Sequence, residues 1–184
     1  MFTTGSESTN QVVFDIWNSA SLGSNTYGRF RVEVRPGLIG SERQFFVELM
    51  SGSSGLSSGS IGNVLAIGTG LNLTSSLWAQ YSISIVNSGS QMACSLYSSG
   101  SLIQTIVTGS SIGLVTGSMI GAIGALVTSA SGTYGALGWA QLSGVMDELR
   151  YWKVRRSAQQ IGRYWFTQVG GGTNTDTKTT DLGL

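Results

Sequence analysis

Residues 30–35 read Phe30-Arg31-Val32-Glu33-Val34-Arg35. Apolar and charged side chains alternate without a slip, which is the period of a strand with one buried face. Phe30, Val32 and Val34 are expected on one face and the three charges on the other. The same period extends outward. Residues 43–50 set Phe45, Val47 and Leu49 against Phe46, Glu48 and Met50, and residues 12–17 form a strand candidate upstream. Downstream, residues 78–86 read WAQYSISIV, and in residues 91–97 Met92, Cys94 and Leu96 share a face. A further run covers residues 102–107. Asn87-Ser88-Gly89-Ser90 and Ser98-Ser99-Gly100-Ser101 lie between these runs, each with a Gly able to take positive φ in a hairpin turn. Short runs with close Gly/Ser/Asn punctuation indicate an all-β sandwich or barrel of roughly a dozen strands. One segment, residues 157–166, reads as helix. Ser157-Ala158-Gln159-Gln160 has capping-box spacing, and Ile161, Tyr164 and Trp165 form an apolar stripe behind it.

Composition excludes much chemistry. The chain has 184 residues and a mass of 19.3 kDa, one domain's worth of sequence and enough for a real core. Only 10% of residues are charged, against about 25% in an ordinary globular protein, while Gly supplies 27 positions and Ser and Thr are abundant. With no His and one Cys, the usual zinc, blue-copper, haem and iron–sulfur sites lack ligands, as do Ser-His-Asp and Cys-His nucleophile systems. Cys94 has no partner for a disulfide within the chain and is expected to be a buried, inert thiol. A net charge of +1 gives no electrostatic footprint for nucleic acid. Disorder fits poorly with 41% hydrophobic residues and five Trp, six Tyr and six Phe to bury.

No Asp, Glu, Lys or Arg lies between Glu48 and Asp147. The most apolar part of this stretch, residues 112–128, reads IGLVTGSMIGAIGALVT with small residues spaced at Gly113, Gly117 and Gly121. A spanning helix needs about 20 mostly apolar residues. The run is interrupted by Thr116, Gly117 and Ser118 and has no basic flank, so turns and strands are the expected reading and no membrane is implicated. The opening ten residues are polar, without the basic and apolar regions of a secretory leader, and are expected to form an N-terminal arm. The domain is expected over residues 11–169. Residues 170–180 hold no apolar side chain, and residues 170–184 read as a Gly/Thr-rich linker or the start of a following module.

A family resemblance rests on the last third of the chain. Gly144-Val145-Met146-Asp147-Glu148-Leu149-Arg150-Tyr151-Trp152, followed by Ser157 to Ile161 and Tyr164, resembles the closing signature of laminin-G-like, concanavalin-A-like domains. Upstream, the Trp-led residues 78–85, the Leu96-Tyr97-Ser98-Ser99-Gly100 hairpin and the Ile-Gly run of residues 119–124 fall in that family's order. The resemblance covers roughly residues 10–166 and is generic over its first third. It implies an antiparallel two-sheet jelly-roll sandwich with one short C-terminal helix. Such domains include sugar binders, adhesion modules, glycosidases and structural modules, and fold alone does not choose among them.

Residue chemistry narrows the choice. Glycosidases need two carboxylates about 5 to 9.5 Å apart across the scissile bond. The Glu-x-Asp-x-x-Glu strand of glucan-hydrolysing family members is missing, and adjacent Asp147 and Glu148 would point to opposite faces of a strand. Their expected role is structural, toward neighbouring loops or Arg150. Glu42 and Glu48 read as solvated charges. Calcium, used by many family members, wants several oxygen ligands. Asp15, Asp147 and Glu148 are the candidates, and no other cofactor is indicated. Glycan contact without metal would fall to aromatics among Tyr134, Trp139, Trp78 and Tyr27, of which a strand aromatic is more often core and Tyr134, in a Gly-rich loop, is the least core-like; Tyr134 and Trp139 are the candidates. Asn72-Leu73-Thr74 matches a glycosylation sequon. Tyr151, Trp152, Lys153, Arg155 and Arg156 form a basic–aromatic cluster, expected to be a solvated strand end rather than a nucleic-acid contact.

The expectation is therefore a non-catalytic structural or adhesion module of a large assembly, a bacteriophage virion protein of the head-decoration or tail-fibre kind. Its partners would be copies of itself or other virion proteins, with host-surface glycans as a further partner. The alternative is a secreted or cell-surface lectin-like module.

Overall fold

The computed structural model describes residues 2–4, 10–36, 43–56, 64–71, 73, 78–127, 141–152 and 154–164. Eleven strands and one helix lie among them: β1 (Phe2–Thr4), β2 (Gln11–Trp17), β3 (Gly28–Pro36), β4 (Arg43–Ser51), β5 (Ser54–Gly55), β6 (Val64–Ile67), β7 (Tyr81–Ser88), β8 (Gln91–Ser98), β9 (Ser101–Thr108), β10 (Ile120–Ile123), β11 (Gly144–Met146) and α1 (Ala158–Tyr164). All the pairings are antiparallel. The larger sheet runs β10-β2-β3-β4-β5, with β6 also pairing β4, and the smaller runs β7-β8-β9. A separate pair joins β1 to β11. The chain is an all-β sandwich with one short helix, as the alternation and turn spacing anticipate.

Turn chemistry fixes the hairpins. Ser99 and Gly100 (φ 45° and 79°) form the two-residue loop between Ser98 and Ser101, the doubly positive pattern whose twist suits adjoining strands. Gly89 (φ 60°) opens the loop between Ser88 and Gln91. These turns set the register Ile85↔Cys94↔Ile106, which points Met92, Cys94 and Leu96 inward. Val32, Val34, Phe45, Val47, Leu65 and Ile67 of the larger sheet meet them in one buried cluster. The two sheets are therefore laminated by the faces that the period-two pattern marks as apolar, at about 1.5–3 kcal/mol per buried aliphatic side chain. Gln104 adds a polar tie, accepting a hydrogen bond at its Oε1 from the Gly68 N–H at the end of β6 (2.8 Å).

The helix begins where its capping box places it. Ser157 Oγ accepts from the Gln160 N–H (3.1 Å), and Gln160 Oε1 accepts from the Ser157 N–H (3.0 Å). Ile161 is buried behind the cap. No helix among the described residues is long and apolar enough to cross a membrane. Among the described residues of 112–127, the strand is the short edge strand β10.

The closing segment departs from expectation. Strict alternation through Trp152 would place Leu149 and Tyr151 on one face and Met146, Glu148, Arg150 and Trp152 on the other, but β11 ends at Met146. Glu148 has φ 58°, a left-handed conformation that breaks the pleat, and its carboxylate turns onto Arg150 (3.1 Å). Tyr151 lies across Phe14 and Phe30, with ring centroids 5.7 and 6.3 Å away. Residues 5–9 of the arm and residues 165–184, including Trp165, Phe166 and the linker segment, lie outside the described residues.

Cys94 is fully buried, and burial pushes its thiol up to about 12. Native protein at neutral pH should therefore react with a thiol reagent only through opening of the sandwich, at a rate that rises with denaturant. Rapid stoichiometric labelling of the folded chain would contradict this placement.

Candidate functional site

The charged face of β3 is the first place to look for chemistry, and it is not solvated. Arg31, Glu33 and Arg35 are all buried, as are Asp15 on β2 and Glu48 on β4. Glu48 is only 6% exposed, which corrects its reading as a solvated charge. The cause is cross-strand register. Asp15, Arg31 and Glu48 are direct neighbours across β2, β3 and β4, so complementary charges stand side by side on one sheet face. Glu42 lies outside the described residues.

The result is a chain of charge-assisted hydrogen bonds. Arg29 grips Asp15 in bidentate fashion, its Nε donating to Oδ1 (2.9 Å) and its Nη2 to Oδ2 (2.7 Å). Arg31 Nε donates to Glu33 Oε1 and Arg31 Nη2 to Glu48 Oε2, both at 2.9 Å. Arg35 Nε reaches the second Glu33 oxygen at 2.7 Å, and its guanidinium lies 4.4 Å from the centroid of the Phe46 ring. Three guanidiniums thus meet three carboxylates, and the ladder is neutral as a unit. Burial works against the charge on Arg29, but the Asp15 carboxylate more than offsets it and the guanidinium pKa goes up. The Tyr27 hydroxyl donates to Glu48 Oε1 (3.1 Å); burial, aided by the Glu48 carboxylate, pushes the phenol up to about 12.

This geometry determines what the candidate residues can do. Asp15 has no exposed surface, and its Oδ2 also accepts the Val127 N–H (3.0 Å). Glu148 is engaged by Arg150, the structural role expected of it. Asp147 follows β11 directly and likewise has an interaction partner. Among the described residues, no three acidic or thiol side chains converge as a metal site would require. Tyr134 and Trp139 lie outside the described residues, as do Asn72 and Thr74 of the sequon. Tyr27 is core-like, while Trp78 is 48% exposed beside β7. In the basic–aromatic cluster, Arg156 sits 3.8 Å from the Trp152 ring centroid; Lys153 is outside the described residues.

What remains on the surface is apolar and uncharged. Most exposed large hydrophobic side chains among the described residues fall in the charge-free stretch, on β9 (Leu102, Ile103, Val107), on or just before β10 (Met119, Ile120, Ile123), on β11 (Val145) and at Leu114. The sequence does not reveal this surface, because alternation gives the face of a residue but not whether another layer covers it. The exposure of Leu102, Ile103 and Val107 on β9 follows only from the assembled fold.

No protein-family model matches the chain, and no characterised protein matches it as a relative. A 2.1 Å crystal structure of an S-layer domain-containing protein (residues 221–444) from Clostridium thermocellum aligns with 85% of this chain at 20% identity and a TM-score of 0.35. This chain covers 63% of that one. A likeness that loose transfers neither fold nor function.

Two outcomes follow from the ladder. Glu33→Gln leaves two buried guanidiniums short of their shared counter-charge and should lower unfolding free energy by about 3–5 kcal/mol, whereas Arg150→Ala, which breaks the more exposed Glu148 pair, should change it by less than about 1 kcal/mol. Urea denaturation of both variants checks the contrast. The raised phenol adds stability that is complete below the ordinary tyrosine value of 10.0 and is lost as pH climbs toward about 12. Across that window wild type should lose up to about 2 kcal/mol more than Tyr27→Phe, read from denaturation midpoints at each pH.

Proposed function

We propose that this chain is a non-catalytic structural or adhesion module that works packed against copies of itself or companion proteins in a large assembly. We place that assembly in a bacteriophage virion, as head decoration or tail fibre. The observation that carries the reading is the separation of charge from surface. Six charges of the larger sheet neutralise one another in the buried ladder, while the stretch between Glu48 and Asp147 exposes apolar side chains without a single charge. Such a surface repels no identical copy and steers no charged ligand. Charge depletion with exposed aliphatic groups is the composition of an interface core. The laminin-G-like resemblance of residues 144–164 supports a surface or particle role in the same sense.

The carboxylates support the non-catalytic part. Asp15, Glu33 and Glu48 are buried and held by guanidiniums, so a sugar cannot reach them from solvent. A retaining or inverting mechanism needs both carboxyl groups open to the glycosidic bond. A second reading, a lectin-like module, is favoured by the half-exposed Trp78, whose ring offers a stacking platform beside an uncharged strand.

Electron microscopy and gel filtration of the protein, alongside turnover assays and a glycan array, test the proposal. Symmetric homo-oligomers with no turnover are the expected result. A stable monomer that hydrolyses an oligosaccharide, or binds one tightly in a manner abolished by Trp78→Ala, would overturn it.

A further inference from the structure

Four connections meet at one end of the sandwich. The Gly52 N–H, in the β4–β5 turn, donates to the Tyr27 carbonyl of the β2–β3 loop (2.6 Å). Ser110, just after β9, donates its N–H to the Gly55 carbonyl (2.9 Å) and accepts the Gly55 N–H at its Oγ (3.2 Å). The Ser111 N–H donates to the Ser90 carbonyl in the β7–β8 turn (2.9 Å). No charge lies in residues 16–28 or in the other three connections, and the flanking Asp15 and Arg29 are bound to each other.

Two leucines are held out in water at this end. Leu114 is 92% exposed, the most of any large hydrophobic side chain among the described residues, and Leu22 is 72% exposed. Leu114 is pinned on both sides. Before it, Asn87 Nδ2 donates to the Ile112 carbonyl (3.0 Å) and Asn87 Oδ1 accepts the Ile112 N–H (3.1 Å). After it, Val115 packs so closely on Gly28 that a Cβ there would overlap the Val115 Cγ1, and the Thr116 carbonyl accepts from Asn18 Nδ2 (3.1 Å). Gly113 and Leu114 alone separate these anchors. Leu22 takes the second position of a turn closed by the Ser24 N–H on the Ser21 carbonyl (3.0 Å), with Gly23 at φ 88° as a type II turn requires. Asn18 Oδ1 also accepts the Gly28 N–H (3.0 Å), so one side chain ties the base of the Leu22 loop to the Leu114 loop. An aliphatic side chain that cannot fold back keeps its hydrophobic driving force for an apolar phase outside the molecule.

The chemistry of this end selects the partner. Protein hot spots are built on Trp, Tyr and Arg, with Leu, Ser and Thr under-represented, and here the exposed tips are Leu set among Ser, Thr, Asn and Gly. Separate protruding tips suit a deformable apolar layer better than a preformed pocket. A rim without Lys or Arg gives no attraction to anionic lipid and meets no repulsion from a neutral headgroup. We propose that Leu22 and Leu114 dip into the headgroup–acyl boundary of a zwitterionic lipid bilayer, about 5–10 Å deep, with the polar side chains of their loops at headgroup level. The contact lies on the bilayer and does not span it. Two leucines hold one copy weakly, so the inference rests on the assembly reading for its strength, since linked copies multiply the contact.

Flotation with phosphatidylcholine vesicles tests it, alongside sedimentation velocity for mass and circular dichroism melts for folding. The wild-type oligomer should float with the vesicles equally at low and high salt. Leu22→Ser combined with Leu114→Ser should cut the bound fraction about tenfold or more, the loss expected for two aliphatic groups, with mass and melting unchanged. Val107→Ser, which removes an exposed aliphatic group elsewhere, should bind as wild type. An oligomer that stays off the vesicles, or whose binding survives the double substitution, overturns lipid docking and leaves the assembly reading standing. Loss of oligomer mass in the double variant overturns it too, and gives these tips to contacts between copies. Binding confined to phosphatidylserine vesicles and released by salt overturns it as an electrostatic contact. A wild-type monomer that floats overturns the assembly reading alone, and a monomer that does not float overturns both.

Discussion

The ion-pair ladder across β2, β3 and β4 is the constraint on which the larger sheet depends. Arg31 stands between Glu33 and Glu48, Glu33 between Arg31 and Arg35, and Arg29 closes on Asp15. Removing water from six charges is expensive, and the ladder offsets that only because every guanidinium has a carboxylate at hydrogen-bond distance. Such an arrangement tolerates little slippage. A one-residue shift of β3 against β4 would send the charges into the apolar layer and Val32 and Val34 out of it. The ladder thus fixes the register that aligns Phe30, Val32 and Val34 with Phe45, Val47 and Leu49 on the core side. Lamination against Met92, Cys94 and Leu96 then follows.

Neutralising these charges internally has a consequence for the surface. The chain holds only nineteen Lys, Arg, Asp and Glu residues, ten basic and nine acidic, and the ladder removes six from solvent. Solubility in an ordinary domain rests on dispersed surface charge. Here the central strands and their loops expose Ser, Thr, Gly and aliphatic groups instead. Both halves of the sandwich therefore favour the same reading, a scaffold made rigid by buried charge and presenting a neutral surface for packing.

The period-two pattern made much of this legible. It located β2, β3, β4, β7, β8 and β9, and the capping box located α1, because each signal is local and repeats several times. It failed where the signal was short or depended on distant partners. Strand β6 offers only Val64-Leu65-Ala66-Ile67 between Gly/Ser-rich runs, and β1 gains its ladder from β11 at the far end of the chain. Alternation beyond Met146 was overextended, since nothing in Asp147-Glu148-Leu149 announces a left-handed Glu148. Glu48 was misjudged for a related reason. A charged side chain opposite an apolar one reads as solvent-facing until the neighbouring strands show that its partners are charged as well.

The account's central claim is that assembly proceeds through a neutral surface, and salt dependence tests it most directly. Contacts between exposed charges weaken as the Debye length shrinks from about 10 Å at 0.1 M to about 3 Å at 1 M ionic strength, whereas apolar burial and neutral hydrogen bonds do not. Sedimentation velocity across that range should show one homo-oligomeric species whose mass and dissociation midpoint are unchanged or strengthened at high salt. A monomer at every salt concentration, or an oligomer that falls apart as salt rises, would contradict it.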